Sequence, residues 1–249
     1  MNLLLGLDLG GSSIKAGAVD IAAGHVVGEL ESVPTPAQAT PVATRAALAT
    51  LIARFPQCQG RVGLAFPAVV KAGVAYTAAN IDHAWIGTDV AEILSAAAGR
   101  EGVVVNDADA AGIAEMRVGA GRGEHGVVLM LTFGTGIGGA LFVDGRLVPN
   151  TELGHLEVGG QEAEKQASAR VRTAEKLDWP AWCERVNRVL ATYHALLWPD
   201  LFIIGGGVSE RWEEFGPLLR APARIVPAAL RHTAGVVGAA LFAAEHTRG

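Results

Sequence analysis

The sequence predicts an α/β protein in which one strand-and-helix unit is used twice, with a cleft between the halves. Three observations carry this. The stretches LLLGLDLGGSSIKAGAVD and VLMLTFGTGIGGALFVDG share one pattern of strand, glycine turn, strand, then aspartate, a weak internal repeat of pattern more than identity. Short apolar runs alternate with stretches of helical spacing along the whole chain. No linker rich in proline, serine and glycine separates the halves, so the boundary is expected to be a hinge inside the fold, near residues 107–120.

The elements follow in order. Residues 3–9 form an apolar run ending in Asp-Leu-Gly-Gly, and residues 12–19 are small and apolar; together they predict strand, turn and strand. Residues 40–54 have helical spacing with Pro56 just past the end. Residues 61–66 read as a buried strand stopped by Pro67, and 89–98 as a helix ending at Gly99. Residues 103–105 are a strand leading into Asn106-Asp107, followed by a helix over 108–118. The pattern then restarts: a strand over 127–133, a glycine turn over 134–139, and a return strand over 140–143 ending at Asp144-Gly145. A long helix is predicted over 179–197, a strand over 201–204, and a closing apolar helix over 234–245. The expected domains are 1–107, joined by a C-terminal helix at 235–249, and 108–234.

Half of the 249 residues are hydrophobic and 18% are charged, enough material for one large domain or two of about 100–150 residues. The formal charge of −5 weighs against a nucleic-acid partner. Cys58 and Cys183 lie far apart and outside any CxxC pattern, so they cannot build a disulfide framework or a four-cysteine zinc site and read as buried thiols. The opening lacks a basic segment and is interrupted by Asp8, unlike a signal peptide. The longest uncharged run, 127–143, falls short of the roughly 20 residues of a spanning helix. A cytoplasmic protein with no membrane partner is expected.

Two turns carry an argument for phosphate. In Asp8-Leu9-Gly10-Gly11-Ser12-Ser13 the glycines let backbone N–H groups approach an anion, and the serines add hydroxyl donors. Asp8 can hold Mg²⁺, directly or through water, and Lys15 offers a mobile charge. The second turn runs through Thr132, Gly134, Thr135 and Gly136. It formally contains GxGxxG, but a strand follows where a dinucleotide site needs a helix, and no acidic residue stands about 20 positions on. One such turn alone reads as a hairpin; two in matching places read as phosphate sites. Gly205-Gly206-Gly207 reads equally as a nucleotide-contacting turn or as a tight strand-to-helix turn.

Asp107, at the end of a buried strand, has the placement of a base that orients a hydroxyl and accepts its proton during phosphoryl transfer. The plainer reading is that Asn106 or Asp107 caps the following helix. Asp109, two residues on, points elsewhere. Glu152, His155 and Glu164 supply acceptors of the kind sugar hydroxyls require. The rival is a metal site, but one histidine without cysteine or a second close histidine is a poor zinc set; a solvated acidic loop is the plain alternative. Asn80, before Ile81-Asp82-His83-Ala84-Trp85, is a polar loop residue with an aromatic neighbour. Lys165, Arg170, Arg172, Lys176, Arg185 and Arg188 are interleaved with Glu175, Asp178 and Glu184, which on sequence alone is a solvated helical face.

The blocks LGLDLGGSSIKAG, VVVNDADAA, LTFGTGIGGAL and ELGH, in that order, resemble the repressor–ORF–kinase (ROK) family of sugar kinases over nearly the whole chain. The resemblance implies an actin-like (ribonuclease H-like) duplicated fold with an interdomain cleft. It implies a kinase with Asp107 as base. Asn80, Asn106, Glu152, His155 and Glu164 match sugar-contacting positions. Asp8, Gly10, Gly11, Ser12, Thr132, Gly134, Thr135 and Gly136 match phosphate-contacting positions. The stretches ANIDHAWIGTD, NTELGHLEVGGQEAEKQASARVR, VNRVLATYHALLWPDLFIIGGGVSE and PAALRHTAGVVGAAL resemble the branch that phosphorylates glucose from inorganic polyphosphate. Some of the basic residues of 165–188 would then line a groove for that chain. Many members carry a cysteine-rich zinc motif after the Gly-His pair; here the stretch is LEVGGQEAEKQAS, so no structural zinc is expected and His155 stays available to the sugar. The implied partners are glucose, polyphosphate or ATP, Mg²⁺, and a second copy of the chain in a homodimer, to which the segment 179–198 would contribute. A strictly ATP-dependent kinase of glucose or mannose stays open, as does a sugar-sensing protein without turnover, against which Asp107 and the two intact turns argue.

Overall fold

The repeat read from the sequence is present in the sheets. The computed structural model describes residues 2–79 and 81–246. Strands β1 (Leu3–Leu9), β2 (Ser13–Asp20) and β3 (His25–Pro34) form an antiparallel meander, and α1 (Pro41–Ile52) leads to β4 (Val62–Phe66). A small hairpin of β5 (Val70–Lys71) and β6 (Val74–Ala75) precedes α2 (Val90–Ala98), β7 (Gly102–Asn106) and α3 (Asp107–Val118). The second meander is β8 (Val127–Phe133), β9 (Ile137–Val143) and β10 (Arg146–Val148), followed by a hairpin of β11 (Glu157–Val158) and β12 (Gln161–Glu162). Then come α4 (Ala163–Ala167), α5 (Ala169–Ala174), α6 (Trp179–Leu197), β13 (Leu201–Gly205), α7 (Trp212–Phe215), β14 (Arg224–Pro227) and α8 (Ala234–Glu245).

One sheet has the order β3-β2-β1-β4-β7 and the other β10-β9-β8-β13-β14. In each, three antiparallel strands join two parallel ones: β1, β4 and β7 run parallel, as do β8, β13 and β14. The chain divides into two compact units. The first holds residues up to Ala114 and those from Thr233 on; the second is Glu115–His232. The chain crosses once inside α3 and once just before α8.

Local chemistry explains the elements. The Thr40 hydroxyl accepts the Ala43 N–H and Pro41 opens α1. Asp89 accepts the Glu92 N–H at 2.7 Å to start α2, and Gly99 ends it in the left-handed region at φ 65°. Asp178 accepts the Ala181 N–H at 2.9 Å to start α6. Strands β4, β7 and β13 are buried along their whole length, as expected of parallel strands covered on both faces. The first unit's core gathers Leu5, Leu7, Ile14, Leu48, Phe66 and Trp85; the second unit's gathers Phe133, Trp182, Val186, Tyr193, Phe202 and Phe215. Both cysteines are free and buried, and burial pushes the Cys183 thiol up to about 11. Most apolar side chains of α6 face this core, while Leu196 and Trp198 at its C-terminal end are exposed. No helix among the described residues is long and apolar enough to cross a membrane.

The boundaries differ from the sequence expectation in informative places. Pairing of Phe133 with Ile137 shortens the second glycine turn, so β9 begins three residues earlier than expected. Strand β3 was not expected: it is an edge strand, exposed at six of its ten positions, and lacks a clean apolar alternation. Strands β10 and β14 were also missed, being short outer strands.

A buried carboxylate organises both crossings on the side of the second unit. Glu115 is fully buried and accepts N–H groups of Ala120 (2.8 Å), Ala229 (3.0 Å) and Leu230 (2.7 Å). It thereby ties the end of α3 to the segment that leads into α8.

In the first unit, α8 lies so close to the sheet that side chains have no room. A Cβ at Gly6 in β1 would strike the Val236 carbonyl, one at Gly63 in β4 the Ala239 carbonyl, and one at Gly238 the Ala110 carbonyl. Gly63→Ala must push a helix backbone away from a central strand. It is expected to cost about 1–3 kcal/mol or more, read as a lower urea midpoint with an unchanged slope; a midpoint equal to the wild type would show that the helix can move at no cost.

Candidate active site

In the first unit, β1 and β7 flank β4 and all three end on the same edge of the sheet. Asp8 is level with Ala65, and Asn106 with Phe66. The first turn, Gly10–Ser12, and the Asn106-Asp107 pair therefore share that edge, two strand spacings or roughly 10 Å apart. The Gly10 N–H donates to the Ser13 carbonyl at 3.1 Å, and Gly11 and Ser12 are exposed. Thr35, just after β3, holds this turn from the side: its hydroxyl donates to the Gly10 carbonyl at 2.6 Å and its N–H to the Ser12 carbonyl at 3.1 Å. No local signal marks Thr35, because β3 lacks the alternation of a strand.

Asp8 stands directly opposite Lys15 in the antiparallel pair β1–β2. Its carboxylate lies against Gly235 in the first turn of α8, where a Cβ would meet the carboxyl carbon at 2.7 Å. No hydrogen bond joins the Asp8 carboxylate to a described residue. Burial raises its pKa above the ordinary aspartate range, with Lys15 pulling the other way. An unpaired, half-covered carboxylate beside a glycine turn fits a hard cation that takes oxygen ligands.

Asn106 is buried, and its side chain is tied down. Its amide donates to the Ala68 carbonyl at 3.1 Å, and its oxygen accepts the N–H groups of Ala108 (2.9 Å) and Asp109 (3.1 Å). Asn106 therefore provides the capping of α3. Asp107 is half-buried in the first turn, with its Oδ1 2.8 Å from the Ala108 nitrogen. Asn80 lies outside the described residues.

In the second unit, β8 and β13 are parallel and also end on one edge. The turn Gly134–Gly136 is closed by the Gly134 N–H donating to the Gly136 carbonyl at 3.0 Å. Glu164 from α4 reaches it: its Oε2 accepts the Ile137 N–H at 3.4 Å, and a Cβ at Gly136 would collide with that oxygen. The Gly134 carbonyl accepts the Arg170 N–H at 3.1 Å, seating α5 on the same turn. Of the three glycines after β13, Gly206 has φ +82° and packs on the Phe133 backbone, whereas Gly207 faces open space. Gly206 thus has a structural reason of its own.

His155 is surrounded by carboxylates, with Glu162 at 3.4 Å, Glu152 at 3.7 Å and Glu164 at 3.9 Å. Glu162 had not been singled out; its signal is the Glu-x-Glu spacing with Glu164. Burial raises the Glu152 pKa, His155 opposes this, and Glu164 adds to it. Glu162 is held below the usual carboxylate range, first by Lys165 and then by His155. One ligand atom each from His155, Glu162 and Glu164 lies within 4.8 Å of the others, an oxygen-rich set without cysteine. The loop is anchored by Tyr193, whose hydroxyl donates to the Leu153 carbonyl at 2.5 Å.

The basic stretch is not one continuous face. Lys165 pairs with Glu162 at 3.1 Å and Arg185 with Glu175 at 2.6 Å. Arg172 stacks on Trp179. Arg170, Lys176 and Arg188 have no ion pair among the described residues.

The ROK family model matches residues 4–169, and the chain belongs to that family. It is 48% identical over 245 residues to the polyphosphate glucokinase of Mycobacterium tuberculosis, covering 97% of this chain and 91% of that protein. The crystal structure of the inorganic polyphosphate/ATP-glucomannokinase from Arthrobacter sp. strain KM aligns with a TM-score of 0.95 at 46% identity, covering 99% of this chain and 100% of that one. A ROK family glucokinase from Streptomyces griseus, solved with glucose and AMPPNP, aligns with a TM-score of 0.81 at 27% identity, covering 98% and 100%. The fold is the actin-like α/β fold of these sugar kinases.

The Asp8 environment sets a pH dependence. A raised carboxyl pKa means that the protonated form favours the folded state; this contribution is fully present below the unfolded pKa and is lost as pH rises through the folded one. Asp8→Asn is therefore expected to melt higher than the wild type at pH 7. The gap should narrow as pH falls through the raised folded-state value and close within the ordinary aspartate range. Equal melting at pH 7 would mean that the burial is relieved.

Proposed function

We propose that the chain is a glucokinase that transfers the terminal phosphoryl group of inorganic polyphosphate, and also of ATP, to the 6-hydroxyl of glucose. The donor and acceptor follow from the relatives at 46–48% identity, one a polyphosphate glucokinase and the other a polyphosphate/ATP-glucomannokinase. The observation that carries the catalytic assignment is the division of labour at the start of α3. Asn106 supplies the cap and is locked by Ala68, so Asp107 is not required for capping.

In this reading Asp107 orients the 6-hydroxyl and accepts its proton as that oxygen bonds to the terminal phosphorus. The bond from phosphorus to the donor's bridging oxygen breaks, and the shortened chain, or ADP, leaves with the electron pair. Backbone N–H groups of the turns at Gly10–Ser12 and Gly134–Gly136, with Ser12, Thr132 and Thr135, bind the phosphate oxygens on which charge builds up. Lys15 adds a positive charge beside the first turn. Mg²⁺ would be held by Asp8, directly or through water, and would neutralise phosphate charge. Glu152, His155 and Glu164 accept hydrogen bonds from the sugar, with Asn80 and the remaining amide N–H of Asn106 as further contacts. Glu162 keeps the His155 ring oriented. Gly207 is the member of its turn open to a nucleotide.

The test is formation of glucose 6-phosphate by the purified protein with Mg²⁺, with equal phosphoryl concentrations of long-chain polyphosphate and ATP, and with mannose run beside glucose. Turnover with polyphosphate is expected; turnover with ATP alone would remove the donor assignment and keep the sugar kinase. Asp107→Asn should lower kcat by at least roughly 10²-fold while glucose binding changes little. Near-normal kcat in that variant would take the base role away from Asp107.

A further inference from the structure

Apart from the glycine turns and the His155 cluster, the described residues of the second unit include one guanidinium with a nitrogen both shut off from solvent and without a hydrogen-bond partner. Arg172 in α5 is half-buried, and its Nε is closed off from solvent without a hydrogen-bond partner. No hydrogen bond or ion pair joins its guanidinium to any described residue. The guanidinium lies 3.5 Å from the centre of the Trp179 ring. Stacking occupies the face of a guanidinium and leaves its in-plane N–H groups available, a geometry suited to phosphate oxygens.

The surroundings compensate this charge only in part: Glu214 feels it electrostatically but makes no hydrogen bond to it. Arg211 lies 5.1 Å from the same ring. The nearby carboxylate, Glu214, is already committed: it accepts Arg211 Nε at 2.5 Å, Arg211 Nη2 at 2.7 Å and the Trp179 indole N–H at 2.9 Å. Arg211 first, then Trp179, hold Glu214 below the usual carboxylate range. Two guanidinium groups and one carboxylate leave a net positive charge, placed on the side chain with unused donors. A partly desolvated cation of this kind gains from an anionic ligand.

The cluster also stands close to the second glycine turn. α5 is seated on the second turn through the Arg170 N–H to the Gly134 carbonyl. Trp179 packs on Trp182 at 5.7 Å, and Trp182 on Phe133 at 5.5 Å, the residue just before that turn. Arg211 ends the short helical turn that begins at Gly207.

We propose that Arg172, stacked on Trp179, and Arg211 form a second anion site that holds inner phosphates of a polyphosphate chain whose terminal phosphate lies on the glycine turns. This rests on the donor reading above. It replaces the continuous basic groove with a local site: Lys165 and Arg185 are spent in ion pairs, and Arg211 lies outside the basic stretch. A chain of many phosphates engages both places, whereas tripolyphosphate is too short to benefit equally.

The experiment compares KM for long-chain polyphosphate with KM for tripolyphosphate, at saturating glucose with Mg²⁺, in the wild type, Arg172→Gln and Arg211→Gln. The ratio of long-chain to tripolyphosphate KM is expected to rise at least tenfold in each variant. The salt dependence of the long-chain KM should weaken by about one phosphate contact, a change in slope a packing defect would not produce. A ratio within twofold of the wild type in Arg211→Gln, an exposed position with no core to disturb, overturns the site, even should Arg172→Gln fail to fold. A wild type that turns over ATP and no polyphosphate of any length overturns the donor reading as well; a wild type that uses polyphosphate beside unaffected variants overturns the anion site alone.

Discussion

The close approach of α8 to β1 and β4 is the constraint on which the first unit depends. Where Gly6, Gly63 and Gly238 stand, a single methyl group would meet a backbone carbonyl. The same contact that closes the core also places the first turn of α8 against Asp8, at the end of β1. Packing and site are therefore one arrangement: the helix that fills the space over the sheet also makes the environment that raises the aspartate pKa. The unpaired state of that carboxylate is a cost to folding, sustained by the apolar contacts around it, as is common where a charge is kept ready for a ligand.

The second unit handles charge differently. Its sugar-side carboxylates converge on His155, and each of the three is answered in part by the same imidazole. Glu164 also reaches the backbone of the second turn. A shift of that turn would therefore be felt at Glu164 and, through it, at the histidine. This is a short physical path between the place assigned to phosphate and the place assigned to sugar, running through a single side chain.

Much of this was legible in the sequence. Helical spacing with Pro56 just beyond it marked α1, Gly99 marked the end of α2, and short apolar runs marked β4, β7 and β13 as strands. The two aspartate-to-glycine blocks gave the duplication. What was missed depends on partners distant in sequence or on exposure. Strand β3 is recognised by pairing with β2, not by its own pattern. Asn106 is fixed by the Ala68 carbonyl, 38 residues away, which no local motif announces. The basic run of 165–188 looked uniform because charge alone does not tell which cations are paired; Glu162, Glu175 and Trp179 sort them.

The two units differ in one respect that matters while the chain is being made. The second is continuous, from Glu115 to His232, and its whole sheet exists once β14 has emerged. The first has had its five strands for longer, yet lacks α8, the last of the described elements. Until then the glycine-lined face of β1 and β4 has no cover and Asp8 no neighbour from α8. On the ribosome, the half that begins the chain is thus the half that finishes last. Its completion waits for α8, so loss of that helix would leave an aggregation-prone sheet face exposed while the second unit is finished.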